Sequence, residues 1–348
     1  MKILELPHRT IDYLCPANGL CDIYEWKTQN RIPEELLFFS RIGFQMISQK
    51  SAVTPKMIFF SHGNIGKDLL NRWKDIIGYN IISDEGKSFR TTLSGIKQLL
   101  DNDIPTILFG LDMYYLPYQL NFYHARHIPG HVVLMVGYDD NVVYVHDNSK
   151  DDIQSIPLND LQAAWANGYM GISKKNTYFG IDLNTPDSDT SDIIAKGIEE
   201  NANFYLNSPV SFMGKRGIEK FMKEFPTWKN IFTESEMKKI YLHIIEFTGS
   251  VLPGLPDELN GGLSKINNPH QASRDMFSAA LLKYRDKFGT SAWQSAAGDF
   301  QRSGKVIDML VKEFTNDILN DSFSDNDKYL ALFEKVRNIE ENAFRKLL

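Results

Sequence analysis

Cysteine is scarce in this sequence, and the scarcity excludes several kinds of site. Only Cys15 and Cys21 occur among 348 residues. Two cysteines cannot build a Cys-rich zinc or iron–sulfur site, and one disulfide could not staple a chain of this length. We therefore expect both thiols to be reduced, as they are in a cytoplasmic protein.

Long apolar runs and a basic excess are missing as well. The longest apolar runs, such as Val132–Val136, fall far below the about 20 residues that a membrane helix needs. The start of the chain, Met1–Pro7, has no extended apolar core, so no secretory signal is expected. The net charge is −6, from 38 Lys+Arg against 44 Asp+Glu, which argues against a dedicated nucleic-acid binder.

The length and the texture of the sequence predict two domains. The polar segment Asn184–Asp192 separates a region of mixed helix and strand signals from a region in which strand signals nearly vanish. Helices come first in the earlier region and a set of strands follows. We predict an α+β domain over residues 1–185 and an all-α domain over residues 186–348.

The periodicity of apolar residues places the predicted elements. In the first region, helices are predicted at Pro16–Trp26, Lys67–Ile77, Thr91–Leu100 and Asn159–Trp165, and strands at Thr106–Phe109, His131–Tyr138, Val142–Asp147 and Tyr178–Leu183. In the second, helices are predicted at Ser191–Leu206, Arg216–Lys223, Glu234–Phe247 behind a capping box at Thr233–Glu236, Pro269–Phe288, Val306–Leu319 and Asp325–Lys346. The Gly-rich loop Val251–Asn268 is long for a compact domain and is our candidate lid.

Cys15 has the position of a nucleophile. It stands directly before the Pro16 helix, where the helix dipole and free backbone N–H groups favour a thiolate. Cys21 falls on the apolar face of the same helix and is expected to be a core residue.

His131 and Asp147 are the expected partners of this thiol. A cysteine nucleophile needs a histidine base, and the histidine needs an acceptor to orient it. If the hairpin turns near residue 139, His131 and Asp147 face each other directly across two antiparallel strands. Asn148 is the rival orienter. A metal site at His124, His127 and His131 is disfavoured because no cysteine accompanies them and their spacing is irregular.

The order of these three residues resembles that of papain-like cysteine peptidases, and several segments are similar to the BtrH family of butirosin biosynthesis. The segments are Cys15–Tyr24, Arg41–Phe44 (matching a Gly-rich turn), Asp112–Tyr118, Gly130–Asp139 and Val143–Asp147, with Phe247–Ser250 and Arg274–Phe277 in the helical region. The family pattern has histidine immediately before the cysteine, where this chain has Leu14. We therefore assign no side chain as oxyanion donor.

The resemblance implies a papain-like fold and an acyltransferase that uses Cys15, His131 and Asp147. Such an enzyme moves an acyl group from the phosphopantetheine thioester of a carrier protein, through a cysteine acyl-enzyme, to a small amine in antibiotic biosynthesis. It needs no cofactor and no metal. Two other functions stay open: a cysteine peptidase or amidase, and an inactive papain-like module that binds a partner. The oligomeric state also stays open, a homodimer included.

Overall fold

The computed structural model describes residues 1–11, 15–38, 42–48, 55–62, 67–168, 173–184, 189–248, 271–323 and 326–348. The candidate lid therefore lies outside the described residues. The chain forms two compact units. The first consists of Met1–Phe38 and Ile65–Ile193, and the second of Phe39–Asn64 and Ile194–Leu348.

Nine strands and eleven α-helices make up the regular structure of the described residues. In chain order the strands are β1 Lys2–Ile3, β2 Ile42–Ser48, β3 Lys56–His62, β4 Asn80–Asp84, β5 Thr106–Leu111, β6 His131–Tyr138, β7 Val142–His146, β8 Gln154–Pro157 and β9 Thr177–Asp182. The helices are α1 Cys15–Thr28, α2 Glu34–Phe38, α3 Lys67–Ile77, α4 Phe89–Asp101, α5 Leu158–Ala164, α6 Thr190–Asn207, α7 Gly214–Trp228, α8 Glu234–Thr248, α9 Arg274–Phe288, α10 Ser291–Leu319 and α11 Asp327–Arg345.

The first unit is built on an antiparallel sheet in the order β4-β9-β5-β6-β7-β8, with β1 paired to the far part of β6. Strand β6 is buried from His131 to Gly137, because β5 and β7 cover its two edges and helix α1 packs on it. An antiparallel sheet in the N-terminal unit and helices in the C-terminal region confirm the predicted α+β fold class.

Helix α1 is buried along most of its length. A single apolar face was expected, yet every residue from Ala17 to Tyr24 is buried, including the polar Asn18 and Asp22. A Cβ added to Gly19 would lie 3.1 Å from Cβ of Leu134, so the helix backbone approaches β6 closely. Neighbouring segments supply partners for the polar side chains; Asn18, for example, donates a hydrogen bond of 2.8 Å to the carbonyl of Arg9.

Cys21 lies on this helix and is fully buried. Burial raises the pKa of its thiol well above the ordinary value, and the carboxylate of Glu34 adds to the shift. The prediction that Cys21 is a core residue is confirmed.

The predicted helices and strands of the first unit are confirmed with shifts of one or two residues at their ends. The helix at Lys67–Ile77 and the strand at His131–Tyr138 have the predicted bounds. Strands β1, β4 and β8 and helix α2 were not predicted. All four are short, and short elements carry little periodicity.

The second unit includes a β-hairpin from the first fifth of the sequence. Strands β2 and β3 pair from Ile42↔His62 to Ser48↔Lys56, and they pack against α7 and α8. The Gly-rich turn expected at Arg41–Phe44 is therefore wrong for its described part, which belongs to β2. The domain boundary at residue 185 stays a prediction, while strands β2 and β3 belong to the same unit as the later helices.

Helix α9 starts five residues later than expected. Gln271, Ala272 and Ser273 have φ values of 54°, 48° and 65°, and a right-handed helix cannot run through left-handed residues. Arg274 then begins the helix as a buried ion pair. Its guanidinium donates to Glu340 at 2.8 Å and to the carbonyl of Gly43 at 2.7 Å. The arginine is therefore ion-paired and not on the surface.

The capping box of α8 is confirmed. The Glu236 carboxylate accepts a hydrogen bond from the backbone N–H of Thr233 at 2.8 Å, and the backbone N–H of Glu236 donates to the Thr233 hydroxyl at 3.3 Å.

Candidate active site

Cys15 is the first residue of α1 and is half-buried at the edge of the first unit's core. The residues from Ala17 to Tyr24 that follow it are buried, so the position of this thiol is set by the packing of α1 on β6. The structure brings the thiol of Cys15 close enough to the imidazole of His131 on β6 for the two groups to interact electrostatically.

The His131 ring also holds a carboxylate. Its Nε2 lies 2.6 Å from Oδ2 of Asp147, which leaves Nδ1 as the ring nitrogen for the thiol. Burial alone would lower the pKa of His131, but the negative charge of Asp147, its hydrogen bond and the interaction with Cys15 outweigh burial and raise the pKa to about 10. The imidazolium is therefore the favoured state at neutral pH.

The strand register differs from the expected one. The turn pairs Tyr138 with Val143, so its centre lies between residues 140 and 141 and not at 139. Further along the hairpin Leu134 pairs with His146, and extending this register sets Asp147 opposite Val133, two residues from His131. Direct opposition of His131 and Asp147 is therefore wrong; they are diagonal neighbours, whose side chains can still meet.

A β-bulge keeps the two side chains on the same face. The later turn centre alone would displace the pairing by three residues, an odd number, which would turn Asp147 to the opposite face of the sheet. The bulge lies between Met135 and Gly137, where β6 has one extra residue, Val136. It reduces the displacement to two, an even number, and Asp147 again faces His131.

Asp147 is fully buried and accepts hydrogen bonds on both oxygens. Oδ2 accepts from the Tyr118 hydroxyl at 2.9 Å and from the Gln119 amide at 3.1 Å, in addition to His131. Oδ1 accepts from the backbone N–H and the hydroxyl of Ser149 at 2.9 and 2.8 Å. Burial raises the pKa of a carboxyl, but the charge and hydrogen bond of His131, helped by Ser149, hold the pKa of Asp147 far below its usual range.

Three residues that donate hydrogen bonds to Asp147 were not predicted from the sequence as site residues. Tyr118 ends the Asp112–Tyr118 segment, whose similarity to the family assigned no role to this ring. Its contact with Asp147 makes it part of the site. Gln119 and Ser149 lie in turns, where no periodicity marks their direction.

Asn148, the rival orienter, points away from His131. Its side-chain amide donates to the backbone carbonyl of Ile11 at 2.8 Å, and the backbone carbonyl of Asn148 accepts from the N–H of Ile11 at 2.8 Å. It fixes the N-terminal segment beside the site.

The loop after β5 is held by Asp112. The carboxylate accepts from the backbone N–H groups of Tyr114 and Ile128 and lies 2.6 Å from Nδ1 of His127. His127 stacks on the ring of Tyr114 at 4.1 Å and is exposed. Neither His127 nor His124 joins His131 in a group with metal-ligand spacing.

Another cluster, formed by His8, Asp22 and His146, lies behind the site. One ligand atom from each falls within 4.8 Å of the others, as in a metal site. However, Nδ1 of His8 lies only 2.6 Å from Oδ2 of Asp22, whereas ligands about 2.1 Å from a tetrahedral metal lie about 3.3 Å apart. Arg31 also donates to Asp22 at 3.1 Å, and its positive charge would oppose a cation. The distances fit charge-assisted hydrogen bonds.

Within the described part of the chain, no helix has both the length and the apolar character needed to cross a membrane.

Comparison with protein families supports the resemblance seen in the sequence. Residues 14–148 match the family model described as butirosin biosynthesis protein H, N-terminal, a range that contains Cys15, His131 and Asp147. Residues 159–250 match a domain of unknown function, DUF4872. None of the curated proteins matches the chain. The two matches follow one another along the sequence, so the chain carries a BtrH N-terminal domain followed by DUF4872, an arrangement consistent with the BtrH family.

Proposed function

We propose that this protein is a cysteine-dependent acyltransferase that forms an amide in antibiotic biosynthesis, with Cys15 as nucleophile, His131 as general base and acid, and Asp147 as orienter. The observation that carries the proposal is one imidazole that interacts with the Cys15 thiol and lies 2.6 Å from the Asp147 carboxylate. A histidine held between a thiol at a helix start and a buried carboxylate suits nucleophilic catalysis by cysteine.

The first half of the reaction loads the enzyme. The Cys15 thiolate, paired with the His131 imidazolium, attacks the carbonyl carbon of a thioester donor. The bond between that carbon and the donor sulfur breaks, and the donor thiol leaves with the proton of His131. One thioester replaces another, so this step changes bond energy little and needs no cofactor.

The second half transfers the acyl group to an amine. The neutral amine attacks the Cys15 thioester, His131 takes a proton from the attacking nitrogen, and the bond to the Cys15 sulfur breaks. Amide product and a thiolate–imidazolium pair result. Water attacking in place of the amine would give free acid, so the acceptor decides between transfer and hydrolysis.

The donor and the acceptor are proposed from the family match. The matched family is named for butirosin biosynthesis. The thioester donor on a carrier protein and the small amine acceptor are what the resemblance to that family implies. A peptidase or amidase would use the same three residues.

The products of a model reaction test the proposal. We would supply an acyl-N-acetylcysteamine thioester with a panel of polyamines and aminoglycosides, and separate amide from free acid by liquid chromatography and mass spectrometry. We expect amide to dominate with a suitable amine, Cys15→Ala to form none, and Cys21→Ala to behave as wild type. Acid alone across the panel, together with ready cleavage of peptides, would replace the proposal with a peptidase.

A further inference from the structure

His8 is surrounded by acceptors at both ring nitrogens. Nδ1 lies 2.6 Å from the carboxylate of Asp22, and Nε2 lies 2.9 Å from the carbonyl oxygen of Lys150 and 3.2 Å from that of Asp147. A carbonyl oxygen only accepts, so Nε2 must carry a proton, and the carboxylate calls for a second proton on Nδ1. A neutral imidazole has one N–H; an imidazolium satisfies all these contacts.

The surroundings of His8 favour this charge. Asp22 is fully buried, and the side chain of His8 is only 6% exposed. Water therefore cannot supply the N–H donor that a neutral imidazole would lack. Burial alone lowers the pKa of His8, but the hydrogen bond and charge of Asp22, with the two carbonyl groups, outweigh it and raise the pKa. Burial likewise raises the pKa of Asp22, and the hydrogen bonds from His146 and His8 outweigh it and lower the pKa.

Other charged and titratable groups face the pair from each neighbouring element. His146 on β7 stacks on the His8 ring at 4.2 Å and approaches Asp22 with Nδ1 at 3.1 Å. Arg31 donates to Asp22 and forms ion pairs with Glu25 and Glu34. With His8 charged, Asp22 therefore has two cationic partners.

The contacts of His8 connect both ends of the candidate triad. Asp22 lies on α1, the helix that begins at Cys15, and is seven residues from it. One of the two carbonyl groups that accept from Nε2 of His8 belongs to Asp147 itself. In the proposed mechanism His131 acts between Cys15 and Asp147. His8, which contacts the segments that carry both residues, has no role in it.

We propose, on the basis of the proposed function, that His8 in its imidazolium form is a positioning residue: it ties the Cys15 helix to the Asp147 loop and so sets the geometry in which His131 meets both. His8 touches no reacting atom. Its effect passes through the Asp22 carboxylate on one side and the Asp147 main chain on the other.

The protonation state can be read in the wild-type protein by nitrogen NMR of labelled histidine, with the His8 signals assigned from His8→Gln. We expect both ring nitrogens of His8 to carry protons at about pH 7, above the ordinary histidine pKa of about 6.5. A neutral His8 at that pH would overturn the proposal. So would one equivalent of bound zinc, measured by elemental analysis, that is lost in His8→Gln.

The variant His8→Gln tests positioning. Gln can donate to a carbonyl but cannot donate to both sides as an imidazolium does. We expect kcat for amide formation to fall about 10- to 100-fold with KM within about threefold, because displacements near 1 Å cost rates of this size. Asp22→Asn should have a similar effect, and the double variant should be no worse than the more damaging single variant, since both act through one bond.

The matched control is His127→Gln. That histidine also lies 2.6 Å from a carboxylate, Asp112, whose other hydrogen bonds go to its own loop and not to Asp147. Its variant should keep kcat within about twofold of wild type, as is usual for exposed sites. An equal loss of kcat in both histidine variants would overturn the specific role of His8.

Alkylation of Cys15 by iodoacetamide separates this proposal from the proposed function, because it needs no substrate. We expect the alkylation rate at about pH 6, below the ordinary histidine pKa, to fall at least about fivefold in His8→Gln. If no amide is ever formed but this fall is observed, the acyltransferase proposal fails and the positioning role stands. An unchanged alkylation profile and kcat, with stability alone reduced, would show that His8 is only structural.

The pH dependence of stability has a definite sign. A raised pKa in the folded state means that the contribution of His8 is complete below the unfolded value of about 6.5 and is lost as pH rises through the folded value. The difference in unfolding free energy between wild type and His8→Gln should therefore be larger at about pH 6 than at about pH 10. A difference that grows with pH would contradict the imidazolium.

Discussion

Changing Asp147 to asparagine should remove the charge that faces His131 while keeping the shape of the site. Oδ2 of Asp147 accepts three donors, from His131, Tyr118 and Gln119, and Oδ1 accepts two from Ser149. An asparagine has one oxygen, and it loses fewest bonds when that oxygen faces His131 and the amide group faces Ser149. The imidazole therefore keeps a neutral acceptor and loses a carboxylate.

The size of the effect follows from the charge. The pKa of His131 is raised to about 10 against an ordinary 6.5, even though burial opposes the shift, and the charge of Asp147 is the largest favourable cause. Such a shift corresponds to stabilisation of the imidazolium on the order of 5 kcal/mol, part of it from Cys15. We expect Asp147→Asn to lower kcat about 10³- to 10⁴-fold, or about 4–5.5 kcal/mol in activation free energy.

The assay is kcat for amide formation from a thioester donor, with Asn148→Ala as the control. Asn148 directs its amide to the carbonyl of Ile11, so its variant should keep kcat within about tenfold of wild type. A value for Asp147→Asn within about tenfold of wild type would refute the reasoning. The reverse order of the two variants would assign orientation to Asn148.

The same variant should change how the unfolding free energy depends on pH. The raised pKa of His131 gives stability that is complete below about pH 6.5 and is lost as pH rises through about 10. The lowered pKa of Asp147 gives stability that is present above about pH 3.9 and is lost as pH falls. The gap in unfolding free energy between wild type and Asp147→Asn should be widest between about pH 4 and 6.5, measured by urea denaturation at several pH values. A gap independent of pH would contradict the ion pair.

Four further variants test the site and the fold. Cys15→Ala should abolish turnover with the thermal midpoint unchanged, whereas Cys21→Ala, which removes a buried thiol, should keep most activity; a loss confined to Cys21→Ala would show that the wrong cysteine was chosen. Tyr118→Phe removes one of the three donors to Oδ2 of Asp147. It should lower kcat about 10- to 100-fold, at the level of one hydrogen bond to a charged group; no change in kcat or in its pH profile would remove Tyr118 from the site. Arg274→Met leaves a buried carboxylate unpaired and should lower the unfolding free energy by about 3–5 kcal/mol in urea titrations, and a loss below about 1 kcal/mol would contradict the buried ion pair.

The sequence predicted the partners of the site better than their geometry. A thiol before a proline-started helix and a histidine and an aspartate on adjacent strands are local patterns, and the structure brings these residues together. The register depends on where the turn closes and on the extra residue Val136 in β6, which alternation does not reveal. The expected direct pairing was therefore wrong although the two side chains meet.

Contacts between distant segments could not be predicted in this way. The bonds of His8 connect it to Asp22, 14 residues away, and to Lys150, 142 residues away. His8 stands in a segment with no periodicity, so nothing local marked it. The β2–β3 hairpin has apolar and β-branched residues, but Gly43 was interpreted as part of a turn. The packing of the hairpin with the helices of the second unit depends on residues more than 150 positions later.

The proposed mechanism requires that Cys15 carry an acyl group and that an amine remove it. We would mix the protein with an acyl thioester, quench, and locate the added mass by peptide mapping, then add amine to a second sample before quenching. We expect one acyl group on the peptide that contains Cys15 and none in Cys15→Ala. When the amine is added, the acyl group should be converted to amide. A protein that turns the thioester over while Cys15 never carries the acyl group would contradict the account.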